Sequence, residues 1–384
     1  MEKVDLTDDQ KFALSGILDW QKNLENQILT LGGSAGSGKT TLIRIFKELL
    51  DPRLTVAFCA FTGKAASVLS TKLKMYNCLN IRDYCGTVHS LIYVPVIDPE
   101  SNDVIDWKKK EKLDFDLIIL DEASMINEYL FEDLKSYDIP ILCVGDHYQL
   151  PPIDGKLNLM ASPDIKLTKI HRQAENDPII QMSLLARTEG FIPYSRFGDK
   201  AMKIYKGQFS IKSFTDEADF KDSVILCGFN STRVSLNQTV RIILNYPSTT
   251  PVINDRVICL KNNAKAKNCA IYNGIQGTVR TCKSNKSGYK MTVDIDNESR
   301  FYKGVVSSDT FNSEKGIDRD NYRNYLDYFD YGYCISVHKS QGSEWDTVVL
   351  FEERSKYWTG DNWTRWLYTA VTRAKKKLII IGQR

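Results

Sequence analysis

An α/β fold built on parallel sheets is what this 384-residue sequence predicts, and three stretches carry the prediction. The first is QILTLGGSAGSGKTTLIRIF (27–46), where a β-like run breaks into glycines and resumes with Leu42, Ile45, Phe46 and Leu49 at helical spacing. The second is FDLIILDEASM (115–125). Its core, 117–120, has the composition of a buried parallel strand. It ends in Asp121-Glu122, at the strand end where open α/β sheets place their chemistry. The third lies within 250–330, where DRVICLKNN, YNGIQGTVRTC and YKMTVDID read as short alternating strands separated by Gly, Asn and Ser. They predict a small all-β insertion in the α/β frame.

Composition narrows the class. Apolar residues make up 42% and charged residues 26%, an ordinary globular balance. The longest apolar runs are far short of a membrane span, and MEKVDLTDDQ lacks the apolar core of a signal peptide. Nine cysteines without a C-x-x-C pair fit a reducing compartment rather than a zinc or disulfide frame, so a cytoplasmic location is expected, the host cytoplasm if the chain is phage-encoded. Net charge is only +3, so a polyanionic partner must be met by local basic residues. Between 256 and 303, ten Lys/Arg face three acids; this is either a solvated face or a phosphate-binding one.

Residues 33–40, GSAGSGKT, match G-x-x-x-x-G-K-[ST]. Backbone N–H groups of Gly33, Ser34, Ala35, Gly36, Ser37 and Gly38, with the helix start at Lys39, Thr40 and Thr41, would hold phosphate oxygens. Lys39 would reach the outer phosphates of ATP, and Thr40 would ligate Mg²⁺. Asp121 would hold the metal through water, and Glu122 would polarise the attacking water. In VGDHYQLPPI (144–153), Gln149 follows a third strand; an amide donates to phosphate and accepts from water, so it can sense hydrolysis.

The motifs AFTGKAA (60–66), GTVHSL (86–91), DEASM (121–125), VGDHYQLPPI, IHRQ (170–173), SVHKSQGSEWD (336–346) and LYTAVTRAKKKL (367–378) follow in that order. In type and sequence they resemble superfamily 1B DNA helicases of the RecD/Dda type, from phage or bacteria, over nearly the whole chain. The resemblance implies two RecA-like motor domains with ATP hydrolysed in the cleft between them. It implies 5′→3′ movement on single-stranded DNA and unwinding at single-strand/duplex junctions, by a monomer. The alternative is a single-strand translocase that displaces proteins, or an RNA-acting helicase. No separate acidic nuclease cluster is expected. By motif, Arg172 and Arg373 would stabilise charge on the transferred phosphoryl group, Gln10 would read adenine and Glu344 would meet the ribose. His171 departs from the aromatic residue that family members often carry. The track would be contacted by Thr62, Lys64, Thr87, His89, Ser336, His338, Lys339 and Ser340, polar groups suited to phosphates without base reading.

The expected division is 1–91 with 113–171 for the first motor domain and 172–249 with 331–384 for the second. Residues 250–330 correspond to the family's SH3-like barrel. DRDNYRNYLDYFDY (318–331) reads either as a base-stacking stretch or, more in keeping with its pattern, as a helix with packed tyrosines. Residues 92–112 read as a β-hairpin, YVPVI and DVIDW around DPESN, where the family carries a strand-separating pin. Tyr93, Val94, Pro95 and Trp107 would offer its apolar face; the acidic tip would be repelled by phosphates.

Overall fold

The structure, a computed structural model, describes residues 6–97, 104–152, 157–169, 176–247 and 250–382 apart from 264, 265, 267, 268, 270, 297, 299, 318–322 and 324. It divides into two compact units, Met1–Ile180 and Gln181–Arg384.

The first unit is a parallel sheet wrapped by helices. Helix α1 (Asp8–Asn23) leads into β1 (Ile28–Gly33), α2 (Lys39–Leu49), β2 (Val56–Ala60), α3 (Gly63–Met75), β3 (Tyr84–Thr87) and α4 (Val88–Ile92). A two-stranded antiparallel hairpin follows, β4 (Tyr93–Ile97) and β5 (Val104–Lys109). Then come β6 (Leu117–Asp121), α5 (Glu128–Lys135), β7 (Ile141–Gly145) and β8 (Ile165–Leu167). The sheet order is β3-β2-β6-β7-β1-β8, and each pairing is parallel. The central strands are apolar throughout because both faces are covered. Val56 and Phe58 of β2, Leu117 and Ile119 of β6, and Leu142 and Val144 of β7 enter the core under α1, α2 and α3. Their alternates, Ala57, Cys59, Ile118, Leu120, Ile141 and Cys143, enter the core under α4 and α5. The two-residue period of a strand thus feeds two cores from one run.

The second unit holds α6 (Pro178–Thr188, which straddles the division), β9 (Ser195–Phe197), β10 (Ala201–Tyr205), α7 (Ile211–Glu217), β11 (Ser223–Cys227) and α8 (Asn230–Ile243). A β insertion supplies β12 (Arg256–Cys259), β13 (Gln276–Asn285), β14 (Gly288–Ile295), β15 (Phe301–Val306) and β16 (Phe329–Tyr331). The frame resumes with β17 (Cys334–Ser336), β18 (Trp345–Phe351), α9 (Gly360–Val371) and β19 (Ala374–Gly382). Its sheet order is β17-β11-β18-β19-β10-β9, parallel except for the edge strand β9. The insertion is a five-stranded antiparallel sheet, β15-β14-β13-β12-β16. Backbone bonds Ser307 N–H to Asp327 O (2.9 Å) and Asp327 N–H to Val305 O (3.0 Å) tie the end of β15 to the approach to β16, so the sheet curls back on itself.

Two features of this unit were not read from the sequence as they stand. The described part of 318–331 is not helical: Tyr331 lies on β16, and Tyr328 and Tyr331 are buried. Pairing with β12 on a closed core overrides the helical spacing of the tyrosines. Second, α8 has no side-chain cap of its own. The carboxylate of Glu353, just beyond β18, accepts from Gly228 N–H (2.8 Å), Phe229 N–H (3.1 Å) and the Thr232 hydroxyl (2.5 Å) instead.

Candidate active site

Three strand ends stand side by side in the first unit. β6, β7 and β1 are neighbours, with Leu120 opposite Cys143 and Gly32 opposite Gly145. The loop after β1, the acids after β6 and Asp146 after β7 therefore open on one edge of the sheet.

The loop conformation depends on glycine. Gly36 (φ 76°) and Gly38 (φ 83°), the N-cap of α2, occupy the left-handed region that L side chains rarely adopt. Gly33 is excluded from bearing a side chain by contact: a Cβ there would lie 2.4 Å from Ser37 Oγ and 3.1 Å from Leu167 Cβ. Lys39 turns its ammonium onto the loop, donating to Gly33 O (2.7 Å) and Ser34 O (3.1 Å). The hydroxyls of Ser34 and Ser37 are buried, with no hydrogen-bond partner among the described residues. A cradle of this kind, with buried donors, a lysine and a helix N-terminus, fits a nucleoside triphosphate. Gln10 is buried beneath it. Its Nε2 donates to Ser37 O (2.9 Å), and its Oε1 accepts from Thr7 N–H (3.0 Å), closing the capping box of α1. The amide thus braces the loop from α1 rather than projecting freely toward a base.

Burial pushes the Asp121 carboxyl up from its ordinary value, while the Glu122 N–H (3.0 Å) and the ammonium groups of Lys39 and Lys72 pull it back. The attraction of the Lys39 ammonium ties the acid electrostatically to the loop, and a divalent cation would reinforce the charged form. Glu122 sits at φ 52°, ψ 39°, a strained conformation for a non-glycine residue. Gln149 is buried, with its Nε2 at 3.4 Å from the Asp146 carboxylate, which also accepts from Tyr148 N–H (3.0 Å). Thr40, Thr41 and Ala35 take the loop and first-turn positions expected of them. Arg172 and His171 lie outside the described residues.

The expected track residues fall at two places. β2 and β3 are adjacent, with Ala60 opposite Thr87, so AFTGKAA and GTVHSL emerge together. Thr62 and Thr87 are N-caps: their hydroxyls accept from Ala65 N–H and Ser90 N–H, each at 3.2 Å. Lys64 lies in the first turn of α3. His89 is half-buried, 4.4 Å edge-on from Trp107 and 4.7 Å from Tyr93 between ring centres, and this burial lowers its pKa. In the second unit, Ser336, His338 and Lys339 line the turn after β17. Burial lowers the pKa of His338. Ser340, expected at the track, is instead fully buried and donates to Val337 O at 2.7 Å; it fastens the turn.

Arg373 is buried in its own unit. Its guanidinium donates to Thr369 O (2.9 Å), Ser343 O (3.1 Å) and Thr372 Oγ1 (3.0 Å), closing the C-terminus of α9. Glu344, next in sequence to Ser343, is exposed. Of the hairpin residues, Val94 and Trp107 are exposed and Pro95 is intermediate. Tyr93 is instead a foot of the hairpin, its hydroxyl bonded to Asp133 of α5.

Residues 5–215 match the model of an AAA domain family, and residues 331–381 match the UvrD-like helicase C-terminal domain. The chain belongs to the AAA domain family, and its relatives support a superfamily 1B, RecD/Dda-type assignment. It is 28% identical to the ATP-dependent RecD2 DNA helicase of Deinococcus radiodurans over 97% of this chain and 50% of the relative. It is 27% identical to the ATP-dependent DNA helicase dda of Enterobacteria phage T4 over 62% of this chain and 57% of that protein. The chain thus spans about half the length of these curated relatives. Among solved structures, the Pif1 helicase from Bacteroides in complex with ADP-AlF3 and ssDNA aligns over 98% of this chain and 92% of its own. The TM-score is 0.59 at 19% identity, a likeness of fold. In this helicase-family chain, the sequence pattern did not single out Lys72, Glu353 or Asp133. Each acts on residues distant in sequence, and only helix phase could have hinted at Lys72.

Proposed function

We propose that this chain is an ATP-dependent DNA helicase that moves 5′→3′ on single-stranded DNA and unwinds duplex at single-strand/duplex junctions, acting as a monomer. The observation that carries the reading is the row of three strand ends, phosphate loop, Asp121-Glu122 and Asp146-Gln149, beside the two capped helix starts of AFTGKAA and GTVHSL. The likeness to the RecD2 and Dda DNA helicases supports the activity class; the direction follows from the motif resemblance alone.

In this mechanism Lys39 leaves the loop carbonyls for the outer phosphates. Thr40 and, through water, Asp121 would hold Mg²⁺, whose charge would offset that of the triphosphate. Glu122 takes the proton of the attacking water, and Gln149 reports the state of the terminal phosphate to β7. Arg172 and Arg373 supply positive charge to the transferred phosphoryl group, which requires Arg373 to exchange its carbonyl partners. Gln10 holds the loop in register beside the adenine, and Glu344 is the ribose contact. Thr62, Lys64, Thr87, His89, Ser336, His338 and Lys339 form the track, with the cap hydroxyls and helix starts accepting any base sequence. The hairpin parts the strands, with Val94, Pro95 and Trp107 as its working face.

ATPase measured with and without single-stranded DNA, followed by unwinding of partial duplexes bearing a 5′ or a 3′ tail in DNA and RNA versions, tests the reading. Strong DNA stimulation and unwinding of the 5′-tailed DNA alone is the expected result. Unwinding that needs a 3′ tail refutes the direction. DNA-stimulated ATPase with no strand displacement leaves a translocase.

A further inference from the structure

The hairpin is held at its base by one carboxylate. Asp133 of α5 accepts from the Tyr93 hydroxyl through Oδ2 and from the Lys109 ammonium through Oδ1 at 3.1 Å. Tyr93 opens β4 and Lys109 closes β5, and the two are direct partners across the hairpin. Both feet are therefore gathered on a single side chain. Further contacts surround it. Lys109 also donates to Ser136 Oγ (2.5 Å), and its ammonium lies 5.2 Å from the ring centre of Tyr137. The Tyr137 hydroxyl lies 2.7 Å from Lys110 O and 3.2 Å from Ile92 O, bridging the chain entering and leaving the hairpin. Lys110 donates to Leu91 O (2.7 Å) and Ser90 O (3.2 Å) at the end of α4. The Tyr93 ring also meets His89, which in turn meets Trp107.

The helix that carries Asp133 is the one that follows the acid-bearing strand. From Asp121 the chain passes through Glu122, a single turn of 3₁₀-helix at Ala123–Met125, and the Asn127 cap, whose side chain accepts from Leu130 N–H at 2.9 Å. Helix α5 then buries Leu130, Phe131 and Leu134 in the core shared with Val88, Leu91 and Ile92 of α4. Packed interiors transmit displacement rather than absorb it.

We propose that Asp133 is the positioning residue of the strand-separating hairpin, clamping both of its feet to α5 so that the hairpin moves as one body with the strand that bears Asp121 and Glu122. This rests on the helicase reading above. The Tyr93 hydrogen bond, with help from Lys109, holds the Asp133 carboxyl below its usual range, so the clamp is charged at neutral pH. The Lys109–Asp133 pair is about one-third exposed and is a poor stabiliser of the fold. Its worth lies in geometry: it fixes the angle at which the hairpin leaves the motor.

The test uses the full chain with Asp133→Ala, Lys109→Met and Tyr93→Phe, the last keeping the ring against His89. DNA-stimulated ATPase (kcat and the KM for single-stranded DNA) should stay within about twofold of the parent. Base pairs opened per ATP on a 5′-tailed duplex should fall roughly five- to tenfold in Asp133→Ala, with Asp133→Glu regaining part. Amide hydrogen exchange in Tyr93–Ile97 and Val104–Lys109 should accelerate about tenfold or more in Asp133→Ala, while Leu117–Asp121 stays protected. Unchanged unwinding per ATP with unchanged exchange overturns the proposal. ATPase and unwinding falling together, with exchange rising throughout the unit, also overturns it and makes Asp133 a fold residue. A parent protein that opens no duplex overturns the helicase reading itself, and the clamp then stands or falls on the exchange measurement alone.

Discussion

Replacing Arg241 with Met should weaken the second unit far more than a surface change. The guanidinium and the Asp255 carboxylate meet in two bonds of 3.0 Å, and both side chains are essentially inaccessible. Arg241 also donates to Thr250 O (2.6 Å) and lies 4.0 Å from the ring centre of Tyr331. Asp255 is held from two more sides, by Val252 N–H (2.8 Å) and the Tyr333 hydroxyl (2.9 Å). This junction plants the five-stranded insertion on α8. Arg241→Met removes the only cation bonded to Asp255 among the described residues and leaves a buried carboxylate with two neutral donors. Breaking a buried pair from one side costs about 3–5 kcal/mol. For a unit of this size that corresponds to a fall in Tm of roughly 6–20 °C at about 2–4 °C per kcal/mol. Urea unfolding followed by circular dichroism reads the loss as a lower midpoint at unchanged slope. A double-mutant cycle with Asp255→Asn should show coupling of about 2–3 kcal/mol, because the second substitution removes the charge that the first stranded. The reasoning fails if Arg241→Met costs less than about 1 kcal/mol or if the two losses simply add.

Lys39→Ala and Glu122→Gln should each lower ATP turnover about 10²–10³-fold or more while melting close to the parent, because both side chains serve the site rather than the core; near-parental ATPase in either removes it from the site. Gly33→Ala drives a Cβ to 2.4 Å from Ser37 Oγ and 3.1 Å from Leu167 Cβ. It should raise the KM for ATP about tenfold or more while leaving single-stranded DNA affinity intact, and a normal KM would mean the loop yields without cost. The pKa of Lys339 is lowered to about 8 by the protein packed around it and by Arg233, against the opposing pull of Asp330 and Cys259, although its side chain reaches solvent. The folded state thus sheds this proton before the unfolded state does, so its contribution to stability rises with pH from about 8 toward the ordinary lysine value. DNA affinity should move the other way, falling as pH passes 8, because a phosphate contact needs the ammonium. An identical pH profile in Lys339→Met excludes it from the track.

The nucleotide loop was legible because everything it needs is local. Glycines at 33, 36 and 38, a strand before them and a helix after them lie within twenty-two residues, and the structure assembles them from that stretch. The acid pair was legible for the same reason, since an all-apolar run ending in two carboxylates allows few placements. What stayed hidden depends on partners distant in sequence. His89 reads as a phosphate contact, yet Trp107, eighteen positions on, packs against its ring. Tyr93 reads as part of an apolar wedge, and its bond to Asp133, forty positions away, is invisible to any window. The segment 318–331 reads as a helix, but its described end, Phe329–Tyr331, is a strand paired with β12.

The two large sheets share one strand order, with β10, β11, β17, β18 and β19 standing where β1, β2, β3, β6 and β7 stand. The duplication extends to the ends of the strands: β6 closes on Asp121-Glu122, and β18 is followed by Glu352-Glu353. In the first sheet the acids face an open loop of glycines. In the second, Glu353 has turned inward onto the amides of Gly228 and Phe229, and Glu352 is ion-paired with Lys203 at 2.6 Å. A carboxylate lodged at a helix start is a permanent tenant where a phosphate would otherwise sit. Of the two equivalent helix starts, the one before α8 is thus taken by a carboxylate of its own chain, which leaves the loop before α2 as the place where a triphosphate could be received.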